Sequence, residues 1–360
     1  MASEAKNIDH IAVQRINRWH YPVALSLIFL LIATALTVWL ASTSSGAHAS
    51  FRLLDLITAG QIKAIHIGGS FMDKLQIGQL TVTTPEEKIT ITNLKLDWRP
   101  WALADRLLRI DRLHIGTLLI QTSRQTAKPL RQLPSSLLLP FDVMLDRCDI
   151  DTISIQQAYQ KLVTAEDLEL SWRFEKTAHV FRLRRAQMTQ LGNIHTDSHL
   201  KAYLHLQAST PFSIQSDIQL QGTHKGWHLE ATGHLGGVLS DIKTQMVVRL
   251  GQQQEQTQLS AQVQLQVLTP QIISAGELNV EQLDLSKINQ DWPTTQMTVQ
   301  IALSKNKKGK FSIHNALAGT WDKSRLPVTA ASGHWSLQDD GMVFEDLHLN
   351  HDNVTGSIKI

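Results

Sequence analysis

The histidines are the first residues in this sequence that could do chemistry, and there are 16 of them in 360 residues. The densest group is His224, His228 and His234. In strands and turns these spacings do not bring three ring nitrogens to one point, and no carboxylate or thiol set with ligand spacing lies near them. The pattern favours surface histidines, so we predict no metal site and no other cofactor.

Signatures of covalent or phosphate chemistry are missing from the sequence. The Gly68-Gly69-Ser70 segment lacks the lysine of a phosphate-binding loop, and no Gly-x-Ser-x-Gly elbow occurs. A polysaccharide-acting enzyme would need paired carboxylates amid an aromatic sugar platform, and these are not evident. Cys148 is the only cysteine, which forbids an intramolecular disulfide. We therefore expect no catalytic residues and no enzymatic activity.

The charge balance limits the kinds of partner. With 34 basic and 32 acidic residues the net charge is +2, so the basic surplus that nucleic-acid binding needs is absent. A small basic cluster of Arg182, Arg184 and Arg185 could meet lipid headgroups, although a solvated strand face is the commoner origin of such a cluster.

The twenty residues from Tyr21 to Leu40 carry no charge and predict a transmembrane helix. At about 1.5 Å per residue this run spans a hydrocarbon core of about 30 Å. Arg15 and Arg18 precede the run, whereas Arg52 is the first basic residue after it, so the N-terminus is expected in the cytoplasm. The residues expected to mark the anchor are Tyr21, Leu30, Trp39 and Leu40.

A cleaved signal peptide is the competing interpretation, because Ala47-His48-Ala49 fits the small-x-small cleavage pattern. The apolar run is longer than the roughly 7 to 15 residues of a signal-peptide core, which favours the anchor. The predicted organisation is a cytoplasmic tail at 1–20, a signal-anchor helix at 21–40 and an exported body at 41–360.

Alternation of apolar and polar residues dominates the chain after residue 60 and predicts half-buried strands. We expect consecutive antiparallel hairpins, closed by turns at Gly236-Gly237, 306–309 and 339–341. The aliphatic residues of the clearest runs all fall on one face. The residues predicted to line a groove are Leu200, Ala202, Leu204, Leu206, Ile214, Ile218, Leu220, Leu259, Ala261, Val263, Leu265, Val267, Met297, Val299, Ile301 and Leu303.

Helical signals are few and lie near the anchor. Ser50 can cap a short amphipathic helix that ends at Gly60, and Pro100 can begin a second helix that separates two strand runs. Neither helix could cover a long sheet.

A phase-shifted form of the alternation places apolar residues at relative positions 1, 3, 6 and 8. The two-residue step in the middle implies a β-bulge or bend. This form begins at Leu75, Leu113, Cys148 and Leu278, and the first three starts are 38 and 35 residues apart. The spacing suggests a loose repeat and an elongated architecture, with chance matches among apolar-rich strands as the alternative.

A sheet with one continuous apolar face must bury it against a second sheet, helices, itself or a ligand. About 20 strands would make a ribbon on the order of 100 Å long, which would curl into a trough lined by aliphatic side chains. Exposing an acyl chain of about 16 carbons to water costs roughly 12 kcal/mol, so only a nearly continuous apolar path could carry one. An ordinary β-sandwich or β-helix with a sealed core is the alternative interpretation.

Three segments carry a family resemblance: 69–77 (GSFMDKLQI), 94–100 (LKLDWRP) and 109–115 (RIDRLHI). Their order and spacing behind the anchor resemble the N-terminal region of the TamB proteins, within the wider AsmA-like family. Farther along, Gly319-Thr320-Trp321 and 333–337 (GHWSL) are similar to the strand-and-glycine units of that family's long β-domain.

The resemblance implies the inner-membrane subunit of the translocation and assembly module of Gram-negative bacteria, with its body in the periplasm. The implied fold is mainly β: one N-terminal transmembrane helix, then an elongated, curled antiparallel β-sheet, a β-taco groove, with a few short helices. The implied function is conduction of phospholipid between inner and outer membranes. The alternative is a scaffold or chaperone for the assembly or secretion of outer-membrane β-barrel proteins and autotransporters.

The partners implied by the resemblance are phospholipid, the inner membrane and an outer-membrane β-barrel protein. Family members are usually several times longer than this chain. We therefore expect a fragment that lacks the C-terminal domain that would meet the outer-membrane partner.

Overall fold

The computed structural model describes residues 20–122, 133–157, 160–192, 194–224, 226–252, 255–269, 272–288, 291–304, 307–338, 341–351 and 354–358. The helices are α1 (His20–Ser42), α2 (Ser44–Ile57) and α3 (Leu285–Ile288), with 3₁₀ helices at Pro100–Asp105 and Trp321–Lys323. The strands are β1 (Ile62–Gly68), β2 (Leu75–Thr83), β3 (Glu87–Arg99), β4 (Leu107–Thr122), β5 (Asp142–Gln157), β6 (Gln160–Glu175), β7 (Ala178–Leu191), β8 (Ile194–Gln207), β9 (Ser213–His224), β10 (Trp227–Val238), β11 (Asp241–Gln252), β12 (Glu255–Leu265), β13 (Ile273–Leu283), β14 (Met297–Leu303), β15 (Lys308–Asn315), β16 (Val328–Gln338), β17 (Gly341–His351) and β18 (Val354–Ile358).

One sheet of 18 strands contains all of these strands. Each strand pairs with its neighbours in sequence, from β1 with β2 to β17 with β18. In the part of the chain that the structure describes, no pairing joins β1 to β18, so the sheet is open. The mainly β, elongated sheet expected from alternation is therefore confirmed.

The pairing of β4 with β5 departs from the predicted series of antiparallel hairpins. Leu113 lies opposite Cys148 and Ile115 opposite Ile150 in a parallel register, whereas every other pair of adjacent strands is antiparallel. A parallel pair needs a crossover of a dozen or more residues, and β4 ends at Thr122 while β5 begins at Asp142, which leaves enough chain between them. The prediction of hairpins throughout was wrong at this point, because alternation within a strand does not encode the direction of its partner.

The two N-terminal helices meet at Thr43 with a bend of 98° between Phe29–Ser42 and Ser44–Ile57. Thr43 has extended backbone and its hydroxyl accepts a hydrogen bond from the Gly46 amide at 2.9 Å, so it caps α2. The helix predicted to begin at Ser50 therefore starts earlier, and Ser50 lies inside it. At its other end Gly60 has φ 81° and its amide donates to the Asp55 carbonyl oxygen, as expected for a helix stop.

The predicted transmembrane helix is not confirmed by the described residues. Among the residues whose side chains the structure describes, no single helix passes as a membrane span, although the segments 29–42 of α1 and 44–57 of α2 reach the required length and hydropathy together as a bent pair. Leu30 and Trp39 are exposed, whereas Leu40 is half-buried. The side chain of Tyr21 and the residues 1–19 of the expected tail lie outside the described part of the structure.

The predicted bulge or bend has a structural counterpart in left-handed backbone. In β13 the register shifts between Val280 and Leu283, where Gln282 has φ 57°. Asn93 in β3 and Asp167 in β6 have φ 53° and 51°, beside the phase-shifted patterns of β2, β4 and β5. Each of these residues lets the strand skip one alternation step without turning its apolar side chains to the other face.

At two of the three predicted turns the flanking strands reverse, because Leu303 pairs with Gly309 and Gln338 with Gly341, while residues 306, 339 and 340 themselves lie outside the described part of the chain. The third was wrong. Gly236-Gly237 lies inside β10, and the reversal comes one step later because Val238 pairs with Asp241. Gly237 has φ 126° and a Cβ there would press on the Asp241 carbonyl oxygen, so this glycine serves a close approach within the hairpin.

The buried apolar side chains are concentrated in the first half of the sheet. Three clusters form there, around Ala47, Leu75 and Ile77, around Ile115, Leu145, Cys148 and Ile150, and around Val143, Phe174 and Ala208. Beyond residue 213, Ile242, Val280 and Met297 are the apolar side chains that become buried among the described residues. The second half of the sheet is thus a single layer with little core of its own.

Candidate functional site

Aliphatic side chains of neighbouring strands lie directly opposite one another, which makes rows that run across the strands. One of them, called here the aliphatic row, passes through every strand from β7 to β17. Ten strand spacings of about 4.8 Å make it about 48 Å long. Its members are Ala186, Leu200, Leu220, Ala231, Val248, Leu259, Val280, Val299, Ile313, Ala331 and Leu349.

Two further rows lie on the same side of the sheet, because residues two apart in a strand share a face. One contains Ala202, Ile218, Gly233, Met246, Ala261, Leu278, Ile301, Phe311 and Gly333. The other contains Leu204, Ser216, Leu235, Thr244, Val263, Gly276, Leu303, Gly309 and Trp335. The same side continues toward the N-terminus through Leu183, Leu170, Cys148, Leu113, Leu96 and Leu75, each opposite the next. The three rows and this continuation together are called the apolar face.

The apolar face is only partly shielded from solvent. Of the sixteen residues predicted to line a groove, all are half-buried except Met297, which is 8% exposed. A second sheet packed on this face would bury such side chains almost completely. The side chains are therefore neither sealed in a core nor fully open to water.

Helix α2 covers the beginning of the apolar face. Ala47 is fully buried against Leu75 and Ile77, and Phe51 stacks on Phe71 with ring centroids 5.8 Å apart. The signal-peptide pattern at 47–49 thus lies inside a helix that packs on β1 to β3. The apolar face therefore begins next to α2.

The region that contains α2 and the first strands is also the region that matches a known family. The family model described as TamB, N-terminal domain, matches residues 31–202. This part of the chain is a TamB N-terminal domain. The comparison with curated proteins gives no match, and neither does the comparison with solved structures.

A segment at 133–141, called here the strap, packs on the apolar face. The strap is held at Leu137, whose amide donates to the Ala208 carbonyl oxygen at 2.8 Å and whose own carbonyl accepts from His179 Nε2 at 2.9 Å. Leu137, Leu139 and Phe141 pack on a cluster in which Phe174 is 1% exposed. These contacts lie at one end of the strands, at the start of β5 and β7, at the end of β6 and just after β8, so the strap covers that end of the apolar face.

The opposite face of the TamB N-terminal domain carries a chain of ion pairs. Arg112 and Arg147 both bind Asp149, with nitrogen–oxygen distances of 2.9 and 2.8 Å, and Arg184 binds Glu169 at 3.0 Å. Burial acts to raise the pKa of Asp149, but the hydrogen bonds from Arg147 and Arg112 outweigh it and the pKa is lowered. The pKa of Asp111 is lowered by its hydrogen bond from Arg99.

The polar candidates from the sequence do not form a site. Arg184 is paired with Glu169, and Arg182 lies over the Tyr203 ring at 5.9 Å, so the basic cluster is part of the strand surface. His234 pairs with Asp217 at 2.8 Å. In the described part of the chain no group of three or more histidine, cysteine, aspartate or glutamate side chains could hold a metal ion. The side chain of His224 lies outside that part.

A hollow of about 630 Å³ lies along β11 to β16 and is lined by residues of both faces. Lys243, Lys310 and His334 belong to the opposite face, and Val263 and Leu303 belong to the apolar face. The apolar face itself carries few polar groups, of which Ser216 is 6% exposed and Thr244 bonds the Val263 carbonyl oxygen.

The structure also corrects one boundary among the predicted groove residues. Strand β12 ends at Leu265, so Val267 lies in the following turn, where the Thr269 amide donates to the Gln266 carbonyl oxygen. Pro270 follows that turn in the sequence and lacks the amide that would continue the ladder. The strand prediction was therefore two residues too long.

Sequence reasoning missed the strap and the early part of the apolar face. Strands β4 to β7 contribute side chains such as Leu118, Ile153, Ala165 and Met188, which lie opposite one another. The phase-shifted pattern had found some of these residues without assigning them to the groove. For the strap, the signal was an unusual run, Leu137-Leu138-Leu139, in a connection that also contains Pro134 and Pro140.

Proposed function

We propose that this chain is a periplasmic protein, anchored in the inner membrane, whose apolar face conducts phospholipid between the inner and outer membranes. The observation that carries the proposal is the half-exposed apolar face, which continues in register from strand to strand through β7 to β17. A soluble single-layer sheet with such a face needs an apolar occupant.

The chemistry of the face suits a sliding acyl chain. A chain of about 16 carbons gains roughly 12 kcal/mol from leaving water, at about 0.8 kcal/mol per methylene. Aliphatic side chains on every strand would supply that burial at each step of the path. Because few polar side chains point from this face, no strong hydrogen bond would hold the chain at one place.

Shielding of the small polar residues supports a sheet that curls toward its apolar face. Ser216 on the apolar face is 6% exposed, whereas the serines of the opposite face are half-buried (Ser260 and Ser332) or exposed (Ser312). For side chains of equal size, the difference fits a concave apolar face, as in a β-taco groove.

The proposed anchor is α1. Its 23 residues at about 1.5 Å each give a length of about 34 Å, enough to cross a bilayer. Phe29, Leu31 and Ile32 point in different directions around the helix and are 72%, 70% and 58% exposed, which favours an apolar environment on all sides. Arg15 and Arg18 before the helix favour a cytoplasmic N-terminus.

Photocrosslinking in cells tests the proposal. A photoreactive amino acid replaces Val263 or Ile301 on the apolar face, and Gln262 or Gln300 provides the matched control on the opposite face. We expect phospholipid adducts at the first two positions and none above background at the controls. Adducts only with other protein segments at Val263 and Ile301 would refute conduction there.

The same experiment distinguishes the second role that the TamB match suggests, assistance in assembling outer-membrane β-barrel proteins. In that case the adducts would contain client strands, and lipid adducts would be absent. An outer-membrane β-barrel partner belongs to either role and is itself part of the proposal.

A further inference from the structure

The exposed side chains of α2 form an apolar surface that the fold leaves uncovered. Leu53, Leu56 and Ile57 are 54%, 78% and 71% exposed, and Leu54 is 36% exposed. The residues of α2 that do pack on the sheet, Ala47 and Phe51, lie on another side of the helix. An amphipathic helix that already buries one side thus presents a second apolar side to its surroundings.

The position of Gly46 shows which way this second side points. A Cβ at Gly46 would collide with the backbone of Trp39 and Leu40 at the end of α1, so this side of α2 rests on α1. At 100° per residue, Leu53 and Ile57 lie within about 20° of the Gly46 direction. Leu54 and Leu56 flank them at about 80° on either side, so the exposed apolar arc is centred on the side from which α1 departs.

The angle between the helices fixes the orientation of that arc. The axes of α1 and α2 differ by 98°. If α1 lies along the membrane normal, α2 therefore lies within about 8° of the membrane plane, with its apolar arc toward the bilayer. Thr43 caps α2 at the bend, so a side-chain hydrogen bond stabilises the turn between the two helices.

We propose that α2 is an interfacial helix that inserts Leu53, Leu56 and Ile57 into the surface of the membrane that α1 enters. The partner is the boundary between headgroups and acyl chains, where such helices sit about 5–10 Å deep. Because Ala47 and Phe51 on another side of the same helix pack against β1 to β3, the start of the apolar face is held at that boundary. The inference rests on the proposed attachment of α1 to the membrane.

The test uses the full chain in phosphatidylcholine proteoliposomes, with Cys148→Ser removing the native thiol. Single cysteines at Leu56, His48 and Leu36 carry an environment-sensitive fluorophore, and brominated lipid serves as the quencher. His48 is the matched control, because it is exposed and lies about 160° around α2 from Gly46. Leu36, which is 53% exposed on α1, reports whether the anchor is inserted.

We expect strong quenching at Leu56 and Leu36 and several-fold weaker quenching at His48. Quenching at Leu36 with equal signals at Leu56 and His48 would overturn the interfacial orientation while leaving the membrane attachment in place. Absence of quenching at Leu36 as well would overturn both the attachment and the inference that rests on it. Circular dichroism of each labelled chain confirms that the sheet is intact before the signals are compared.

Discussion

Replacing Ile301 by aspartate should block lipid movement along the sheet at β14. Ile301 lies opposite Leu278 and Phe311 in the middle of the apolar face. Because its side chain is half-buried, the fold should tolerate the change at a cost of roughly 1–2 kcal/mol. Ile301→Ala controls for the lost volume, and Gln300→Asp places the same charge on the opposite face.

The expected slowing of lipid passage can be estimated from the cost of placing an aspartate among acyl chains, which would surround residue 301 when lipid occupies the apolar face. An aspartate at the centre of a bilayer costs about 2.5–3.5 kcal/mol on insertion scales. Since each 1.36 kcal/mol changes a rate about tenfold, passage of an acyl chain over this strand should slow by about 70- to 400-fold. A carboxylate on the polar face meets only water and should leave the rate unchanged.

Photocrosslinkers on either side of the block measure the effect. Ala331 lies two strands farther from α1 than Ile301, and Val263 lies two strands nearer. In Ile301→Asp we expect the phospholipid adduct at Ala331 to fall at least about tenfold while the adduct at Val263 persists. An undiminished adduct at Ala331 in a folded Ile301→Asp chain, or an equal loss in Gln300→Asp, would refute the reasoning.

Three further predictions concern the stability and packing of the sheet. Asp149 has a folded-state pKa below the ordinary 3.8, so its ion pairs stabilise the sheet above that pH and this stability is lost as pH falls through the lower value. Urea unfolding of Asp149→Asn should therefore depend less on pH below about pH 4 than unfolding of the parent chain, and equal pH slopes would contradict the pairing. Burial raises the pKa of the Cys148 thiol from 9.0 to about 11, so alkylation at pH 8 should be at least about 100-fold slower than for free cysteine; rapid labelling of the folded chain would show the thiol to be accessible. A Cβ at Gly309 would collide with the Trp335 ring, so Gly309→Ala should lower the free energy of unfolding by about 1–3 kcal/mol, whereas Gly236→Ala, which meets ordinary contacts, should cost less; equal losses would argue against the ring position.

Alternation predicted the strands well, because a strand that buries only one face needs an apolar residue at every second position. The runs around Leu200, Leu259 and Ile301 are strands whose aliphatic side chains share one face and continue in register. The register itself needed no long-range information, since short hairpins between neighbouring strands leave few alternatives. The TamB resemblance at 69–115 agrees with the family match over 31–202.

What the sequence could not predict depends on contacts distant along the chain. The parallel pairing of β4 with β5 and the packing of the strap at 133–141 are contacts whose partners local patterns do not specify. Gly236-Gly237 was expected to turn because glycine pairs often do, but Val238 can still pair with Asp241. Helix α2 was expected to begin at Ser50, but the helix is capped earlier, at Thr43, whose hydroxyl accepts a hydrogen bond from the Gly46 amide.

The occupancy of the apolar face is the central question, and an experimental density map of the chain purified from membranes addresses it most directly. Lipid conduction predicts elongated acyl-chain density along the aliphatic row, beside Val248, Leu259 and Val299. A second layer of protein packed against these side chains, with no space for lipid, would contradict it.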